Sequence, residues 1–310
     1  MEYSGNNEPK RISVALATYN GEAYIAAQLE SILNQEMEPE EIVVCDDLST
    51  DNTVAILSNY ESKAAIRLFI NEQRLGITGN FRKAVSLCKA DNYVALSDQD
   101  DVWLSSKLQT NYDHLRSIDN GKTPALAYSD LSLVDEQLDV IQPSFQKVLN
   151  VDPSRENFST LLFGNIVTGC TVMMNRAMRD FFCNMPDSKR ITMHDAWLGL
   201  IAYSFGKHVF CSTPLLLYRQ HGNNVTYETN KGNSFAKRIQ QSISQFSSNK
   251  DYLRKEIEQA KLFKELYEAR LDAADLKTIS DFISLEKASF LYKKYSSILA
   301  RRYRYLKDNK

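Results

Sequence analysis

The stretch ISVALATYNGEAYIAAQLESILNQEMEPEEIVVC, which spans residues 12–45, decides the fold of this chain. An apolar run over 12–17 is followed at 22–35 by apolar residues at helical spacing, and then by a second apolar run over 41–45. These lengths predict a strand, a helix and a second strand. Such a unit is typical of α/β proteins, in which the two strands run parallel.

The same alternation continues to about residue 130. It predicts a helix over 51–60, a strand over 66–70, a helix over 79–88, a strand over 93–97, a helix over 105–118 and a strand over 125–128. We therefore expect an α/β fold with a mostly parallel, Rossmann-like sheet and helices on both of its faces. Ligands of such sheets bind beyond the carboxyl ends of the strands, so the residues just after each strand are candidate site residues.

After residue 130 the pattern is looser. It predicts helices over 158–164, 176–183 and 194–205, and short strands over 170–174, 208–211 and 215–219. A polar segment at 223–234 is the best candidate for a linker. Beyond this segment the chain is charged, free of glycine and predicted to be helical to its end.

Composition excludes several classes of protein. With 43% hydrophobic and 25% charged residues among 310, the chain is too apolar to be disordered and too polar to be a polytopic membrane protein. No apolar run approaches the ~20 residues that cross a bilayer, and the polar first ten residues do not resemble a signal peptide. Five scattered cysteines without a C-x-x-C pair argue against a disulfide framework or a structural zinc site. The sequence therefore predicts a cytoplasmic protein.

The segment SDQDDVW at 97–103 follows the fourth predicted strand and carries the strongest chemical signal. Because side chains alternate along a strand, we expect Asp98 and Asp100 to point to the same side. Two carboxylates held together repel unless a cation or a proton lies between them, and such oxygen ligands suit Mg²⁺ or Mn²⁺. The eleven glycines form no phosphate-binding loop, so a metal could neutralise a diphosphate instead. The alternative is an acidic cap on the next helix, a role that Asp101 could also fill.

Polar residues also follow the first two predicted strands. Thr18, Tyr19 and Asn20 come after the first, and Asp46 and Asp47 come after the second. Turn and cap chemistry explains each pair or triplet almost as well as ligand binding does. Three polar strand ends at one crevice nevertheless indicate a nucleotide site.

Six segments together resemble one known family. They are LATYNGE (16–22), CDDLSTDNT (45–53), SDQDDVW (97–103), GCTVMMNR (169–176), HDAWL (194–198) and YRQHGNN (218–224). In this order, over residues 11–225, they resemble a family 2 glycosyltransferase with the GT-A fold. SDQDDVW and the later RQHGNN are similar to segments of bacterial rhamnosyltransferases that assemble surface polysaccharides such as O-antigen or capsule.

The resemblance implies roles in donor binding for residues at the first strand ends. The backbone at Ala17, Thr18 and Tyr19 and the carboxylate of Asp47 would bind the pyrimidine base of the donor. Asp98 would contact the nucleoside side. The family usually has glycine after the first aspartate pair, where this chain has Leu48, so the resemblance does not fix the details of that turn.

The resemblance also implies the residues of the reacting centre. Asp100 would ligate the divalent metal, with His221 as an additional ligand, and Gly169 would lie beside the donor sugar. Arg219 would close over the diphosphate, and Asp195 falls where the family keeps its catalytic base. The simpler interpretation of Asp195 is an N-cap of the helix that follows.

The implied reaction is inverting transfer of a sugar, with rhamnose favoured, from a dTDP- or UDP-linked donor to a glycan acceptor that is lipid-linked in such systems. The implied cofactor is Mg²⁺ or Mn²⁺, and no nucleic acid is expected as a partner. Two other functions stay open. A nucleotidyltransferase would also use carboxylates and metal, although it would normally add a basic, glycine-rich loop, and a non-catalytic nucleotide-sugar-binding assembly protein would need neither base nor turnover.

The expected organisation has three parts. Residues 1–10 form a polar extension, and 11–230 form the catalytic domain, with a nucleotide-sugar half at 11–130 and an acceptor half at 131–230. Residues 231–310 form a helical extension whose net charge is +8, against −10 for the rest of the chain.

The end of this extension carries a membrane prediction. Over 285–307, apolar and basic residues recur at helical spacing, which suits an anionic membrane surface at the inner face of the cell membrane. The alternative is a helical bundle that packs on the catalytic domain or on a second subunit, which leaves oligomerisation open.

Overall fold

The computed structural model describes residues 11–61, 66–149, 151–221 and 250–287. Its strands are β1 (Ile12–Thr18), β2 (Glu41–Asp46), β3 (Ile66–Ile70), β4 (Tyr93–Ser97), β5 (Val102–Trp103), β6 (Ala125–Val134), β7 (Val140–Gln142), β8 (Met173–Met174) and β9 (Lys207–Arg219). Its helices are α1 (Ile25–Leu33), α2 (Thr53–Glu61), α3 (Gly76–Leu87), α4 (Lys107–Ile118), α5 (Phe145–Leu149), α6 (Phe158–Phe163), α7 (Arg176–Cys183), α8 (His194–Ser204), α9 (Lys250–Tyr267) and α10 (Ala273–Ser284).

In these residues the strands form one sheet in the order β3-β2-β1-β4-β8-β6-β9-β5, with β7 beside β6. β1 pairs in parallel with both β2 and β4, and β2 pairs in parallel with β3. The short β8 is antiparallel to β4 and to β6, whereas β6 and β9 are parallel. This confirms the predicted α/β fold with a mostly parallel sheet between helices.

The second half differs from the prediction in three places. The expected strand at 125–128 continues to Val134, and the two strands expected at 208–211 and 215–219 are the single strand β9. β9 passes through Pro214, where its register with β6 shifts, and this irregularity gave the sequence the appearance of a break. The strand expected at 170–174 is only β8, because Gly169–Thr171 form a 3-10 turn.

Apolar residues on the two faces of the sheet pack into two cores. Along β1, Ala15 faces the core that includes α3, α7 and α8, whereas Val14 and Leu16 face the core of α1, α2 and α4. β2 is buried along its whole length because helices cover both faces. The sheet is therefore a rigid base for the loops at its carboxyl edge.

The C-terminal helices α9 and α10 pack on the first of these cores. The Phe263 ring of α9 lies 5.3 Å from that of Trp197, and the Phe282 ring of α10 lies 4.8 Å from that of Phe163. This part of the extension thus follows the packing alternative. The predicted polar extension at 1–10, the predicted linker at 223–234 and most of the predicted membrane-binding segment, from residue 288 onward, lie outside the described residues. Among the described residues, no helix is long and apolar enough to cross a membrane.

Candidate functional site

The carboxyl ends of β1, β2 and β4 bring the polar segments of the sequence together, as expected. Thr18 and Asp46, the last residues of β1 and β2, are register partners. Ser97 ends β4 beside β1, so Asp98 begins a loop directly next to Thr18 and Tyr19. Parallel strands thus deliver three polar segments to one edge.

Gln99 connects the loop after β4 to the end of β1. Its side-chain Oε1 accepts hydrogen bonds from Thr18 Oγ1 at 2.6 Å and from Tyr19 N at 2.8 Å, and its Nε2 donates to Tyr19 O at 3.1 Å. A Cβ at Gly21 would lie within 2.4 Å of the same Oε1, so this position has no room for a side chain. The predicted base-binding backbone at Ala17, Thr18 and Tyr19 is therefore held in place by the segment that carries the acidic residues.

Asp47, just after β2, holds the segment between β3 and α3. Its buried carboxylate accepts hydrogen bonds from Leu75 N at 2.7 Å, Asn71 Nδ2 at 2.8 Å, Gly76 N at 2.9 Å and Arg74 Nε at 3.1 Å. Burial acts to raise the pKa of Asp47, but these hydrogen bonds outweigh it and hold the pKa below its ordinary value. The carboxylate is thus ionised and already surrounded by donors.

Arg74 lies flat on Tyr19. Its Cζ is 3.3 Å from the centroid of the Tyr19 ring, while its Nε pairs with Asp47. Half of the Arg74 side chain is exposed. This cation–π contact covers one face of the Tyr19 ring, just after the end of β1.

The acidic loop after β4 forms two neighbouring groups. Carboxylate oxygens of Asp98 and Asp101 and the Cys170 thiol lie within 4.8 Å of one another, whereas Asp100 Oδ2 lies 2.9 Å from His221 Nε2. Burial and the charges of Asp100 and Asp195 raise the pKa of Asp98 to about 7. This repulsion among carboxylates is the condition that a divalent cation would relieve, and the oxygen and nitrogen donors fit Mg²⁺ or Mn²⁺.

Asp101 is not a helix cap, contrary to one of the sequence interpretations. It is buried, and α4 begins only at Lys107, with Ser106 as its N-cap. Burial and the neighbouring charges of Asp100 and Asp98 raise the pKa of Asp101 well above its ordinary value. Asp101 Oδ1 accepts a hydrogen bond from Arg219 N at 3.3 Å, so the residue ties the loop to β9.

Lys107 places a buried ammonium group behind this loop. Its Nζ lies 3.9 Å from the centroid of the Trp103 ring and has no hydrogen-bond partner among the described residues. Burial lowers the pKa of Lys107 to about 8, although the charges of Cys170 and Asp101 oppose this. A buried lysine thus lies near Asp101 and Cys170 of the acidic cluster.

Arg219 and His221 return from β9 to the acidic loop. Arg219 Nε donates to Asp100 O at 3.0 Å, and its Nη1 donates to Glu136 O at 2.6 Å. The guanidinium Cζ lies 4.9 Å from the Tyr24 ring centroid, and the His221 ring centroid lies 4.7 Å from the same ring. The end of β9 therefore brings a cation and an imidazole to Asp100.

Asp195 reaches the same site from the second half of the chain. Its Oδ2 accepts a hydrogen bond from Gly169 N at 3.0 Å, and its Oδ1 accepts one from Ala196 N at 2.7 Å. Asp195 is the second residue of α8 and Met193 is the N-cap, so the N-cap interpretation of Asp195 is wrong. A Cβ at Gly169 would lie only 2.9 Å from His194 Nε2, so a residue larger than glycine would collide with the His194 ring.

Sequence reasoning missed the roles of four residues that build the site. Gln99 and Asp101 were masked by the more familiar pattern of aspartates around them. Asn80, on α3, is buried and donates to Cys45 O at 2.8 Å, which supports the end of β2. Lys107 carried no signal, because a lysine in the first turn of a helix is normally solvated. Asn80 could have been found, because it is a polar residue on the apolar face of the predicted helix.

Comparisons with known proteins identify the family of the first part of the chain. Residues 13–126 match the model of the family described as Glycosyl transferase family 2. This segment is a family 2 glycosyltransferase domain. The matched segment contains the ends of β1, β2 and β4, and therefore the acidic loop.

Two relatives and one solved structure add to this comparison. The glycosyltransferase is 29% identical to "dTDP-rhamnosyl transferase RfbG" of Shigella flexneri over 224 residues, which cover 67% of this chain and 72% of the relative. It is 34% identical over 98 residues to the Escherichia coli "UDP-Glc:alpha-D-GlcNAc-diphosphoundecaprenol beta-1,3-glucosyltransferase WfgD", covering 32% of this chain and 38% of the relative. Residues 1–349 of S. aureus TarS, crystallised with UDP-GlcNAc, superpose with a TM-score of 0.55 at 16% identity, covering 96% of this chain and 90% of that one. This likeness confirms the GT-A fold.

Proposed function

We propose that this glycosyltransferase moves rhamnose, with inversion, from dTDP-rhamnose to a hydroxyl of a growing, lipid-linked bacterial surface glycan. One observation carries the proposal. Asp98 and Asp100, on the donor half, and Asp195, from the later half, are close enough for the charges of Asp100 and Asp195 to raise the pKa of Asp98. Donor carboxylates and a separate base thus meet at one sheet edge.

The donor half supplies the nucleotide contacts in this proposal. Asp47 and the backbone of Ala17, Thr18 and Tyr19 bind the pyrimidine base, and Asp98 binds the ribose side. The four hydrogen bonds that Asp47 accepts keep it ionised and fix the loop around it. Gly169, whose N–H donates to Asp195, lies beside the donor sugar in this proposal.

Asp100 and His221 are the proposed metal ligands, with Asp98 next to them. Family 2 glycosyltransferases generally use a divalent metal. When bound, Mg²⁺ or Mn²⁺ would neutralise the diphosphate, whose oxygens complete the coordination of such hard cations. Arg219 holds the Asp100 backbone and adds positive charge on the leaving-group side.

Asp195 is the proposed general base. The acceptor oxygen forms a bond to the anomeric carbon while the bond from that carbon to the diphosphate oxygen breaks, and the hydroxyl proton passes to Asp195. The electron pair of the broken bond leaves with the nucleoside diphosphate. Two backbone N–H groups, from Gly169 and Ala196, donate to the carboxylate and fix its orientation, and a base needs a fixed orientation towards the hydroxyl.

The choice of donor and acceptor rests on the relatives. The Shigella flexneri relative is named a dTDP-rhamnosyl transferase and covers most of this chain, which supports rhamnose and dTDP over UDP. The shorter Escherichia coli match names a diphosphoundecaprenol acceptor, which supports a lipid-linked glycan. With such an acceptor, the enzyme would work at the cytoplasmic face of the cell membrane, held there by the basic segment at 285–307.

We propose the boundaries 11–230 for the catalytic domain and 231–310 for the extension.

A donor screen tests the function directly. Calorimetry with dTDP-rhamnose, UDP-glucose and UDP-GlcNAc, each with Mn²⁺ or with EDTA, should show the strongest binding for dTDP-rhamnose with Mn²⁺. Asp100→Asn should remove the metal-dependent part of this binding while the melting temperature stays close to that of the wild type. Equal binding with EDTA and with Mn²⁺ would contradict the metal site, and preference for a UDP-sugar would contradict the donor.

Two further measurements separate the alternatives. Release of dTDP that depends on a lipid-linked glycan would contradict both a nucleotidyltransferase and a non-catalytic binder. Flotation with anionic vesicles at low salt should carry the full-length chain, and a variant ending at residue 284 should stay behind. Equal flotation of the two would contradict the role of the segment at 285–307.

A further inference from the structure

The helix α9 of the C-terminal extension carries a buried polar pair. Gln259 is 1% exposed and Glu256 is 6% exposed, and Gln259 Nε2 donates to Glu256 Oε2 at 3.3 Å. Gln259 Oε1 accepts two hydrogen bonds from Thr192, one from its backbone N and one from its Oγ1, both at 2.9 Å. Burial of an amide is costly unless it is paired, and here every bond of Oε1 goes to one residue of the catalytic body.

Arg190 attaches the same segment to α9 at a second point. Its Nη1 and Nη2 donate to Glu265 at 2.8 and 2.9 Å, and its Nε donates to Glu258 O at 3.3 Å. A bidentate arginine–carboxylate pair fixes direction as well as distance. Two residues of one short segment, Arg190 and Thr192, are therefore held by one helix.

This segment leads directly into the proposed base. Residues 185–193 form no helix or strand, and α8 then begins with His194 and Asp195. His194 is buried, with its ring centroid 4.6 Å from that of Phe81, so the start of α8 has little freedom once it is seated. The irregular segment has no ladder of its own, so its contacts with α9 help to fix the chain that leads into α8.

We propose that Gln259 is a positioning residue for the catalytic base. Through Thr192 it sets the start of α8 and thereby the placement of Asp195 relative to Gly169 and the acidic loop. An apolar residue at position 259 would serve the packing of α9 equally well but would leave the Thr192 amide and hydroxyl without an acceptor. This inference rests on the proposed function, because it takes Asp195 as the base.

The test compares Gln259→Leu with the wild type in two ways. Hydrogen exchange over residues 186–197 should become faster in the variant, because the Thr192 amide loses its acceptor. The kcat for transfer of rhamnose from dTDP-rhamnose to a lipid-linked glycan, followed with Mn²⁺ as acceptor-dependent release of dTDP, should fall by roughly 10- to 100-fold, since small misplacements of a catalytic group have effects of this size. The Kd for dTDP, measured by calorimetry, should not change, because the donor half is untouched.

Two control variants keep the proposal falsifiable. The double change Gln259→Glu with Glu256→Gln keeps an acceptor for Thr192 and a donor for its neighbour, and should restore most of kcat. Phe282→Leu weakens packing of the extension at a site that contacts Phe163 rather than the segment at 185–193, and should leave kcat close to that of the wild type.

The outcomes distinguish this inference from the proposed function. If wild-type protein with dTDP-rhamnose is active and Gln259→Leu keeps its kcat, the positioning role is overturned and the proposed function stands. If Phe282→Leu loses as much kcat as Gln259→Leu, Gln259 has only a structural role. A folded wild-type protein that turns over no nucleotide sugar overturns the proposed function itself.

Discussion

At the residue scale, the geometry of Asp195 gives the most direct prediction of mechanism. Both carboxylate oxygens accept a backbone N–H, from Gly169 and from Ala196. Asp195→Asn removes the basic group, and its amide NH₂ also faces one of these N–H donors. We expect kcat to fall by about 10²- to 10⁴-fold, the usual contribution of a general base, while the Kd for dTDP stays unchanged.

Asp195→Glu provides the matched control for this measurement. It keeps a basic carboxylate but moves it by one methylene, so kcat should lie between the wild type and Asp195→Asn. Steady-state release of dTDP and calorimetry on the same preparations make the comparison. Asp195→Asn with most of the wild-type activity would mean that the base lies elsewhere.

Asp98 gives a prediction of pH dependence. Its pKa is raised from 3.8 to about 7 by burial and by the charges of Asp100 and Asp195, so the folded protein holds a proton that the unfolded chain has lost. Between these two values the folded state binds more protons, and the stability due to Asp98 therefore falls as pH rises. In EDTA, the melting temperature of the wild type relative to Asp98→Asn should decrease from about pH 5 to about pH 8.

The comparison with Asp98→Asn is needed because other groups act in the opposite direction. Burial lowers the pKa of His194 and of His208, so their contribution is lost as pH falls through the value of the unfolded chain. Added Mn²⁺ should raise the wild-type melting temperature more at about pH 8 than at about pH 5, because it binds ionised carboxylates. A pH-independent difference between the two proteins would show that Asp98 is not perturbed.

The sequence predicted which residues meet at the site but not how they are bonded. Asp98 and Asp100 follow a strand whose carboxyl end lies at the site edge, and the order of strands is readable from their alternation with helices. Asp195 was placed at the site only by the family resemblance. The pairing of Asp98 with Asp101 and of Asp100 with His221 depends on how the loop after β4 turns. That turn is set by Gln99 and Arg219, which are distant in sequence from one another, and local patterns carry no record of such contacts.

At the scale of elements, the turn after β2 shows how a substitution can leave a conformation unchanged. Leu48 has φ of +62°, the left-handed region that glycine adopts freely, at the position where the family usually has glycine. Asp46 Oδ1 accepts a hydrogen bond from Ser49 N at 2.8 Å and supports this conformation. The turn therefore has the glycine conformation without glycine.

We expect stability to follow the tolerance of each residue for positive φ. Leu48→Val should lower the free energy of unfolding by about 1 kcal/mol, because a β-branched residue is a true outlier there. Leu48→Gly should change it little, since relief of strain offsets the greater freedom of the unfolded chain. Urea unfolding of the three proteins gives this order, and a Val variant as stable as the wild type would contradict it.

The ends of the strands were predicted best where an uninterrupted apolar run marked the strand in the sequence. β1, β2 and β4 agree with their apolar runs to within about one residue, because helices bury both faces of these strands. The edge strand β3 also agrees, although most of its residues are only partly buried. β9 was divided in two because Pro214 and the exposed residues before it interrupt the pattern. A strand that is paired on both sides tolerates such an interruption through a register shift, and pairing is not visible in one sequence.

At the scale of the whole molecule, the C-terminal extension is part of the folded body in its described portion. Arg190 pairs with Glu265, and the Trp197 ring contacts both Phe263 and Tyr267. The sequence showed a change of composition near residue 231 and suggested a separate unit. Helical periodicity reveals that a helix has an apolar face but not which surface covers it.

Substitution of Phe263 tests whether α9 is part of the hydrophobic core. It is fully buried on α9 against Trp197, so Phe263→Ala should lower the free energy of unfolding by about 3–5 kcal/mol, through lost burial and a cavity. Leu266→Ala, on the same helix but 48% exposed, should cost no more than about 0.5 kcal/mol. Urea unfolding followed by tryptophan fluorescence reports on the interface, since Trp197 lies in it. Because α9 also holds the segment before Asp195, a loss of stability at Phe263 should be accompanied by faster hydrogen exchange over residues 186–197. Equal effects of the two substitutions would mean that α9 is not part of the core.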